Sequence, residues 1–263
     1  MFLMKLSIIL PAYNESDSVA NTAASLRPVV EQLRESHDVE IIFVNDGSKD
    51  DTVQLLTKAF ADDDKTRIVS HDVNRGLGAA IRTGFEAATG DIVVTTDFDG
   101  TYEFDTIPEI LKYMKPGTDI VTASPYHTHG LVKDVPKYRL LFSYGASLLY
   151  RILVDRRIKT WTALFRAYRR SVVENVAFES NDFLAGTEIL VRSIQQGYRV
   201  AEYPTTLHSR AFGQSSIKIA RVTKAHLKFQ WTLLKAIRVS IQVRTILNQP
   251  APLKQSSPVV EQQ

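Results

Sequence analysis

Short apolar runs, each ending in a polar loop, recur through the first half of this chain with about one helix-length between them. They are Leu6–Leu10, Val39–Val44, Arg67–Ser70, Asp91–Thr96 and Asp119–Ala123. Such runs are too short for helices and lack the alternation of a strand with one wet face, so they read as strands buried on both sides. The segments between them, about 18–36, 48–60, 77–88 and 107–114, carry helical patterning. Asn14 to Ser18 offers cap chemistry for the first of these, and Ser48 or Asp50 for the second. Strand and helix in alternation predict an α/β fold with a Rossmann-like, mostly parallel sheet and helices on both faces.

In such sheets ligands bind at the carboxyl ends of the strands. The polar loops Pro11–Glu15, Asn45–Ser48, Asn74–Gly78 and Asp97–Thr101 all follow strands and so fall on that one edge. Gly76 and Gly78 let backbone approach closely, but position 81 is Ile, so the dinucleotide fingerprint is not met, and no phosphate-loop pattern occurs. For this pair tight helix packing is the simpler reading. Asp97-Phe98-Asp99 is the most chemically pointed stretch. Two carboxylates this close repel unless a cation joins them, and oxygen-only donors suit a hard ion that also holds phosphates.

Charge is divided unevenly. Residues 1–130 carry 11 Lys and Arg against 21 Asp and Glu, whereas residues 131–263 carry 21 against 8. The acidic half holds the candidate metal ligands, and the basic half faces an anion or anionic surface. No nucleic-acid motif accompanies the basic half, so nucleic acid is not expected as a partner. Cys is 0, which excludes disulfides and thiolate chemistry and fits an intracellular setting. The first residues enter a strand directly, with no signal-peptide pattern, and no apolar stretch reaches the roughly 18 residues of a spanning helix.

Four ordered motifs resemble family-2 glycosyltransferases of the GT-A fold. They are Ile8–Glu15, Val44–Asp50, Asn74–Ala80 and Asp97–Tyr102. Phe165–Arg170 and Arg210-x-x-Gly213-x-Ser215 narrow the resemblance to enzymes similar to dolichyl-phosphate mannosyltransferase, over about residues 5–220. The resemblance implies that Pro11, Tyr13, Glu15, Val44 and Asp46 hold the nucleotide. It implies that Asp97 and Asp99 meet Mg²⁺ or Mn²⁺ and the diphosphate, with the Phe98 backbone alongside. Arg210 pairs with phosphate, and Asp99 and Arg210 carry the catalytic role. In the mannosyltransferases a Gln often supplies a further metal ligand where Thr101 stands here, and water is expected to complete the shell.

Residues 138–154 are apolar except for Arg139, Ser143, Ser147 and Arg151, which fall at four-residue spacing as one narrow polar stripe on a greasy helix. The resemblance makes Arg139 and Ser143 an acceptor-phosphate pair. The family usually carries a further Arg after the fifth strand, where Ala123-Ser124-Pro125 stands here. His127, His129 or Lys133 is expected to substitute, or the acceptor is held differently. Residues 183–196 read as helix, with Gly197 closing it and a strand following. Glu188 on that helix reads as a salt-bridge or core-edge residue, because a phosphate acceptor is already anionic and needs little deprotonation.

From Tyr203 to Val260 there is no Asp or Glu. Arg221, Lys224, Lys228, Lys235 and Arg238 share one helical face with Trp231 among them, the pattern of an amphipathic helix on an anionic membrane surface. The expected organisation is a catalytic domain over 1–215, basic membrane-surface helices over 216–247, and a disordered tail over 248–263. The expected activity is inverting transfer of a hexose from a nucleotide diphosphate sugar to a polyprenyl or dolichyl phosphate, at the cytoplasmic face of a membrane. The resemblance favours guanosine-diphosphate mannose as donor, with uridine-diphosphate glucose next. Transfer to a soluble glycan hydroxyl, or nucleotide-sugar and lipid-surface binding without catalysis, are the rival readings.

Overall fold

The computed structural model describes residues 3–209 and 219–247, without the side chains of 139, 219 and 237–247. The strands are β1 (Met4–Ala12), β2 (His37–Asn45), β3 (Thr66–Ser70), β4 (Ile92–Thr95), β5 (Ile120–Ser124), β6 (Leu131–Val132), β7 (Arg166–Arg169), β8 (Val200–Pro204) and β9 (Thr206–Leu207). The α-helices are α1 (Val19–Arg34), α2 (Thr52–Ala59), α3 (Leu77–Ala87), α4 (Thr106–Lys112), α5 (Lys137–Leu153), α6 (Arg170–Asn175), α7 (Ala185–Gln195) and α8 (Ile219–Leu247).

Seven strands form the main sheet in the order β3-β2-β1-β4-β7-β5-β8. All neighbours are parallel except β7, which runs antiparallel to both β4 and β5. A separate parallel pair, β6 and β9, ties the segment before α5 to the segment after β8.

The central strands β1, β2, β4 and β5 are buried on both faces, as their largely apolar runs require, while the edge strands β3 and β8 are only partly buried. In β1 Leu6, Ile8 and Leu10 point into a core shared with Leu26, Val30 and Leu33 of α1, Leu56 of α2 and Ile107 and Ile110 of α4. Ile9, of opposite parity, enters the second core with Ala80, Ile81 and Phe85 of α3 and Ile189 and Leu190 of α7. That second core also takes Tyr150 from α5 and Leu233 from α8, so part of each of these two helices belongs to the domain interior.

The mostly parallel sheet with helices on both faces is present as expected. The antiparallel β7 was not anticipated. Its sequence, Arg-Ala-Tyr-Arg, carries a charged residue at each end. Arg166 is nevertheless fully buried, because it donates from Nε to Thr122 Oγ1 and from its Nη groups to the carbonyls of Trp161 and Gly186. A guanidinium with that many neutral acceptors tolerates a core position that its charge alone forbids.

Candidate active site

The acidic pair stands where β4 leaves the sheet. Thr96 N still donates to Ile9 O at 3.1 Å, and the chain then turns through Gly100, whose φ is +70°. Phe98 points inward, edge-on to Phe43 at 5.9 Å between ring centroids, while its carbonyl accepts from Thr22 Oγ1 at 2.8 Å. With the middle side chain anchored inward, Asp97 and Asp99 are only half-buried. Asp99 Oδ1 accepts from Thr101 N at 3.1 Å, which shapes the turn. Both acids and Thr101 border a cavity of about 700 Å³. The Tyr102 phenol also borders it and is held well above its ordinary pKa, by burial first and by the charge of Asp97 second.

The loops after β1 and β2 are laced together beside this edge. Asn14, at φ +52°, accepts from Lys49 N at 2.8 Å and donates its own N–H to Ser48 Oγ at 2.9 Å. Glu15 N donates to Thr52 Oγ1 at 2.8 Å, and the Glu15 carboxylate accepts from Ser18 Oγ at 2.9 Å. Pro11 and Tyr13 are partly exposed on the same edge, whereas the Val44 side chain lies wholly in the core and has only backbone to offer a nucleotide. Asp46 is buried, with hydrogen bonds to His71 Nδ1 at 2.7 Å and from Arg75 N and Gly76 N, each at 2.8 Å. It therefore organises the Asn74–Gly78 loop. None of Pro11, Tyr13, Glu15, Val44 and Asp46 borders the large cavity.

Gly76 and Gly78 serve packing. A Cβ at Gly76 lies 2.2 Å from Asn181 O and one at Gly78 lies 2.1 Å from Ser180 O, and Gly76 has φ +96°. The close approach is thus to the loop before α7, with Gly78 N donating to Asn181 O at 2.9 Å.

The cavity has two kinds of wall. Asp97, Asp99, Thr101, Tyr126, Ser143, Thr160 and Thr162 bring polar groups to it, Leu140, Leu141, Phe142 and Leu149 of α5 bring apolar ones, and α8 brings both, Val222 and Leu227 with Thr223, His226 and Gln230. Ser143 thus meets the acids in one space. Arg210 and the Arg139 side chain lie outside the described residues. The expected substitutes for an Arg after β5 are not brought there: His127, His129 and Lys133 do not border the cavity. The chain turns at Pro125 so that Tyr126 borders it, while the His127 and His129 rings lie tilted beside each other with centroids 5.6 Å apart. Tyr126, Thr162 and His226 went unread in the sequence, since each is a lone polar residue with no spacing signature.

Glu188 is buried and fully engaged. It accepts from Arg192 Nε at 2.7 Å, Ser180 N at 2.8 Å and Glu179 N at 3.2 Å, and it does not border the cavity. These contacts staple α7 to the loop before it.

Residues 7–177 match the model of glycosyl transferase family 2. The chain belongs to that family. Among the relatives of this family-2 glycosyltransferase is the dolichol-phosphate mannosyltransferase of Pyrococcus furiosus, 31% identical over 88% of this chain and 64% of that protein. The polyprenol monophosphomannose synthase of Mycolicibacterium smegmatis is 30% identical over 84% of each. The undecaprenyl-phosphate mannosyltransferase of Micrococcus luteus is 27% identical over 89% of this chain and 98% of that protein. The chain therefore spans somewhat under two thirds of the Pyrococcus protein and nearly all of the Micrococcus one. In fold it resembles the glucosyl-3-phosphoglycerate synthase of Mycobacterium tuberculosis, solved with Mn²⁺, uridine diphosphate and glucosyl-3-phosphoglycerate. The TM-score is 0.66 at 21% identity, over 86% of this chain and 80% of that one.

Proposed function

We propose that this family-2 glycosyltransferase moves a hexose, with inversion, from a nucleotide diphosphate sugar to a polyprenyl phosphate at a membrane surface. The observation that carries the reading is the cavity itself: Asp97 and Asp99 share one space with an apolar wall built from α5 and α8. An acceptor with a phosphate head and a hydrocarbon tail matches both walls, whereas a soluble glycan leaves the apolar one unused. The names of the relatives, each joining mannose to a dolichol, polyprenol or undecaprenyl phosphate, support the same choice and favour mannose over glucose as the sugar.

Asp97 and Asp99 are the residues to hold Mg²⁺ or Mn²⁺. Their donors are oxygen only, and among the described residues no group of three or more His, Cys, Asp or Glu is placed to hold a metal. Two carboxylates suit an ion that takes its other ligands from a diphosphate and water. Bound there, the ion supplies electrostatic stabilisation of the leaving diphosphate. In this reading Pro11, Tyr13, Glu15, Val44, Asp46 and the Phe98 backbone receive the nucleotide, Arg210 pairs with the diphosphate, and Arg139 and Ser143 receive the acceptor phosphate. The acceptor oxygen is already anionic and attacks without a base, which fits a Glu188 committed to Arg192.

The surface supports a membrane-bound setting. Among the described residues no helix is long and apolar enough to cross a membrane. Leu141, Phe142, Tyr144, Leu148 and Ile152 of α5 and Leu227 and Trp231 of α8 are exposed large hydrophobics, with Arg221, Lys224, Lys228 and Lys235 exposed beside them. That combination buries apolar side chains among lipids and pairs cations with anionic headgroups, which supports a peripheral position at a membrane surface. The test is a panel of nucleotide sugars with and without polyprenyl phosphate, in Mg²⁺ or Mn²⁺, following release of nucleoside diphosphate. Release that depends on the lipid phosphate is expected. Equal turnover on a soluble glycan, or binding with no release under any condition, overturns the reading.

A further inference from the structure

The hydroxyl of Tyr102 stands where packing alone does not call for one. The loop after β4 carries the ring back into the core, so that Tyr102 is only 4% exposed and shares that core with Phe98, Phe104 and Phe165. The ring is edge-on to Phe165, with centroids 5.6 Å apart and planes at 65°. The loop is tied on both sides of it. Thr101 N donates to Asp99 Oδ1 at 3.1 Å, Thr101 O accepts from His208 N at 2.9 Å, and Thr106 N donates to Glu103 O at 3.1 Å. The side chain is therefore held in one place before any ligand arrives.

Tyr102 nevertheless borders the cavity onto which Asp97 and Asp99 open. Among the described residues its hydroxyl has no hydrogen-bond partner. The buried polar atoms that are both unpaired and sealed off are Thr96 Oγ1, Arg151 Nε and Gln230 Oε1, and the Tyr102 oxygen is not one of them. It is unpaired and still within reach of a ligand. Tyr102 also borders a smaller recess beside α1, together with Asp99. After burial, the groups that act on its phenol are Asp97, Tyr126, Arg166 and Asp99, in that order. Asp97 and Tyr126 border the large cavity and not the recess, which puts the oxygen on the large-cavity side.

A buried hydroxyl without a partner costs stability, and phenylalanine fills the same space without that cost. The oxygen earns its place only when something binds. A phenol keeps its proton at neutral pH and so has one to donate. Beside two carboxylates a neutral donor has an advantage over Arg or Lys, because it does not compete with a divalent ion for them. We propose that Tyr102 is a binding residue whose hydroxyl donates to an oxygen of a phosphate group held beside Asp97 and Asp99, either the diphosphate of the donor or the phosphate of the acceptor. The inference rests on the polyprenyl-phosphate transfer reading above and deepens it, by adding a fixed neutral donor to the acidic pair. Such a hydrogen bond is charge-assisted and favours an anionic oxygen over a neutral one.

The test uses calorimetry on the full chain and its Tyr102→Phe variant. The ligands are farnesyl phosphate, and guanosine diphosphate and uridine diphosphate with Mn²⁺; farnesol, guanosine and uridine are the controls that lack phosphate. Thermal unfolding of both proteins is followed without ligand. The variant keeps the ring, so its Tm is expected to match or exceed that of the wild type. At least one phosphate ligand is expected to bind about tenfold more weakly, the scale of one hydrogen bond to a charged group. A loss confined to the nucleoside diphosphates places the hydroxyl at the donor, a loss confined to farnesyl phosphate places it at the acceptor, and a loss in both places it between them, with the controls unchanged in each case. Wild-type affinity for every phosphate ligand overturns the proposal. So does an equal loss in the controls, or a lowered Tm, which marks a structural partner instead. If the losses appear but the wild type transfers no sugar to polyprenyl phosphate, the transfer reading falls and the phosphate contact stands. If the wild type transfers sugar and the variant binds as it does, the proposal alone falls. A wild type that binds no phosphate ligand overturns both.

Discussion

The Tyr150 hydroxyl lies 3.0 Å from Nδ1 of His226 and joins α5 to α8 inside the core. Tyr150 also stacks on Trp161, with centroids 5.5 Å apart and ring planes at 28°. Burial pushes the phenol up and pushes the imidazole down to about 4, so the phenol donates and a neutral ring accepts. The Nδ1 acceptor leaves the ring proton on Nε2, and His226 borders the cavity.

This contact makes the protein sensitive to mild acid. Burial holds the folded pKa of His226 at about 4, below its ordinary value of 6.5. The unfolded chain then binds the proton first as pH falls. The contribution is fully present above pH about 6.5 and is lost towards pH about 4, at up to about 1.4 kcal/mol per pH unit. Thermal unfolding from pH 7.5 to 4.5 is expected to show a steeper fall in Tm for the wild type than for His226→Gln. Parallel curves refute the assignment.

Replacing Asp99 with Ala is expected to abolish sugar transfer, lowering kcat/KM by about 100-fold or more, the scale of lost electrostatic stabilisation at a reacting centre. The Tm stays near wild type, because Asp99 is half-buried at a turn outside the core clusters. Chelation with EDTA gives the same loss in the wild type, and added Mn²⁺ restores it. Near-normal turnover of Asp99→Ala with metal present sinks the mechanism.

Glu188 separates stability from chemistry. Removing it leaves the N–H groups of Glu179 and Ser180 without their acceptor, while Arg192 keeps Glu179, so Glu188→Ala is expected to cost about 1–3 kcal/mol in denaturant unfolding. Glu188→Gln keeps an acceptor for part of this set and is expected to retain a kcat within a few-fold of wild type. A collapse of kcat in a folded Glu188→Gln protein identifies a general base instead.

Trp231 reports on the surface itself. It is exposed, with Lys235 Nζ 5.6 Å from its ring centroid. Vesicles containing anionic lipid are expected to shift its emission to the blue, less so at high salt. Each of Lys224→Ala and Lys228→Ala is expected to weaken vesicle binding about fivefold, near 1 kcal/mol per charge. Neutral and anionic vesicles giving equal spectra argue against the interfacial assignment.

Much of the fold and of its loop-bearing edge was legible in the sequence. An unbroken apolar run such as Ile41–Val44 has few alternatives to a doubly buried strand, and a polar loop after each run places the loops on one edge. The greasy helix around Ser143 was legible for the same reason. Elsewhere the sequence was silent for physical causes. Arg166 reads as a surface residue because its compensation comes from Thr122, Trp161 and Gly186, none of them its neighbour along the chain. Tyr126, Ser143 and Thr162 are uncharged and come from three segments, so only the folded chain brings them together. Asp46 was expected to face a nucleotide, yet much of its hydrogen-bonding capacity goes to His71 and two backbone amides.

The reversed strand β7 has a consequence for how such an enzyme can diversify. A parallel strand delivers its exit to the reactive edge, whereas β7 delivers its entrance: Arg166 pairs with Thr95 at the end of β4 and with Thr122 on β5. The loop carrying Thr160 and Thr162 therefore lies at the same edge as the loops that follow β1, β2 and β4, but it precedes its strand where they follow theirs. Insertions or substitutions there reshape the cavity that Thr160 and Thr162 line and leave the loops after β1 and β2, which do not border it, in their own frame. In the proposed reaction, one inverted strand thus gives acceptor and donor separate routes of change, so new acceptors can be explored while the donor chemistry is retained.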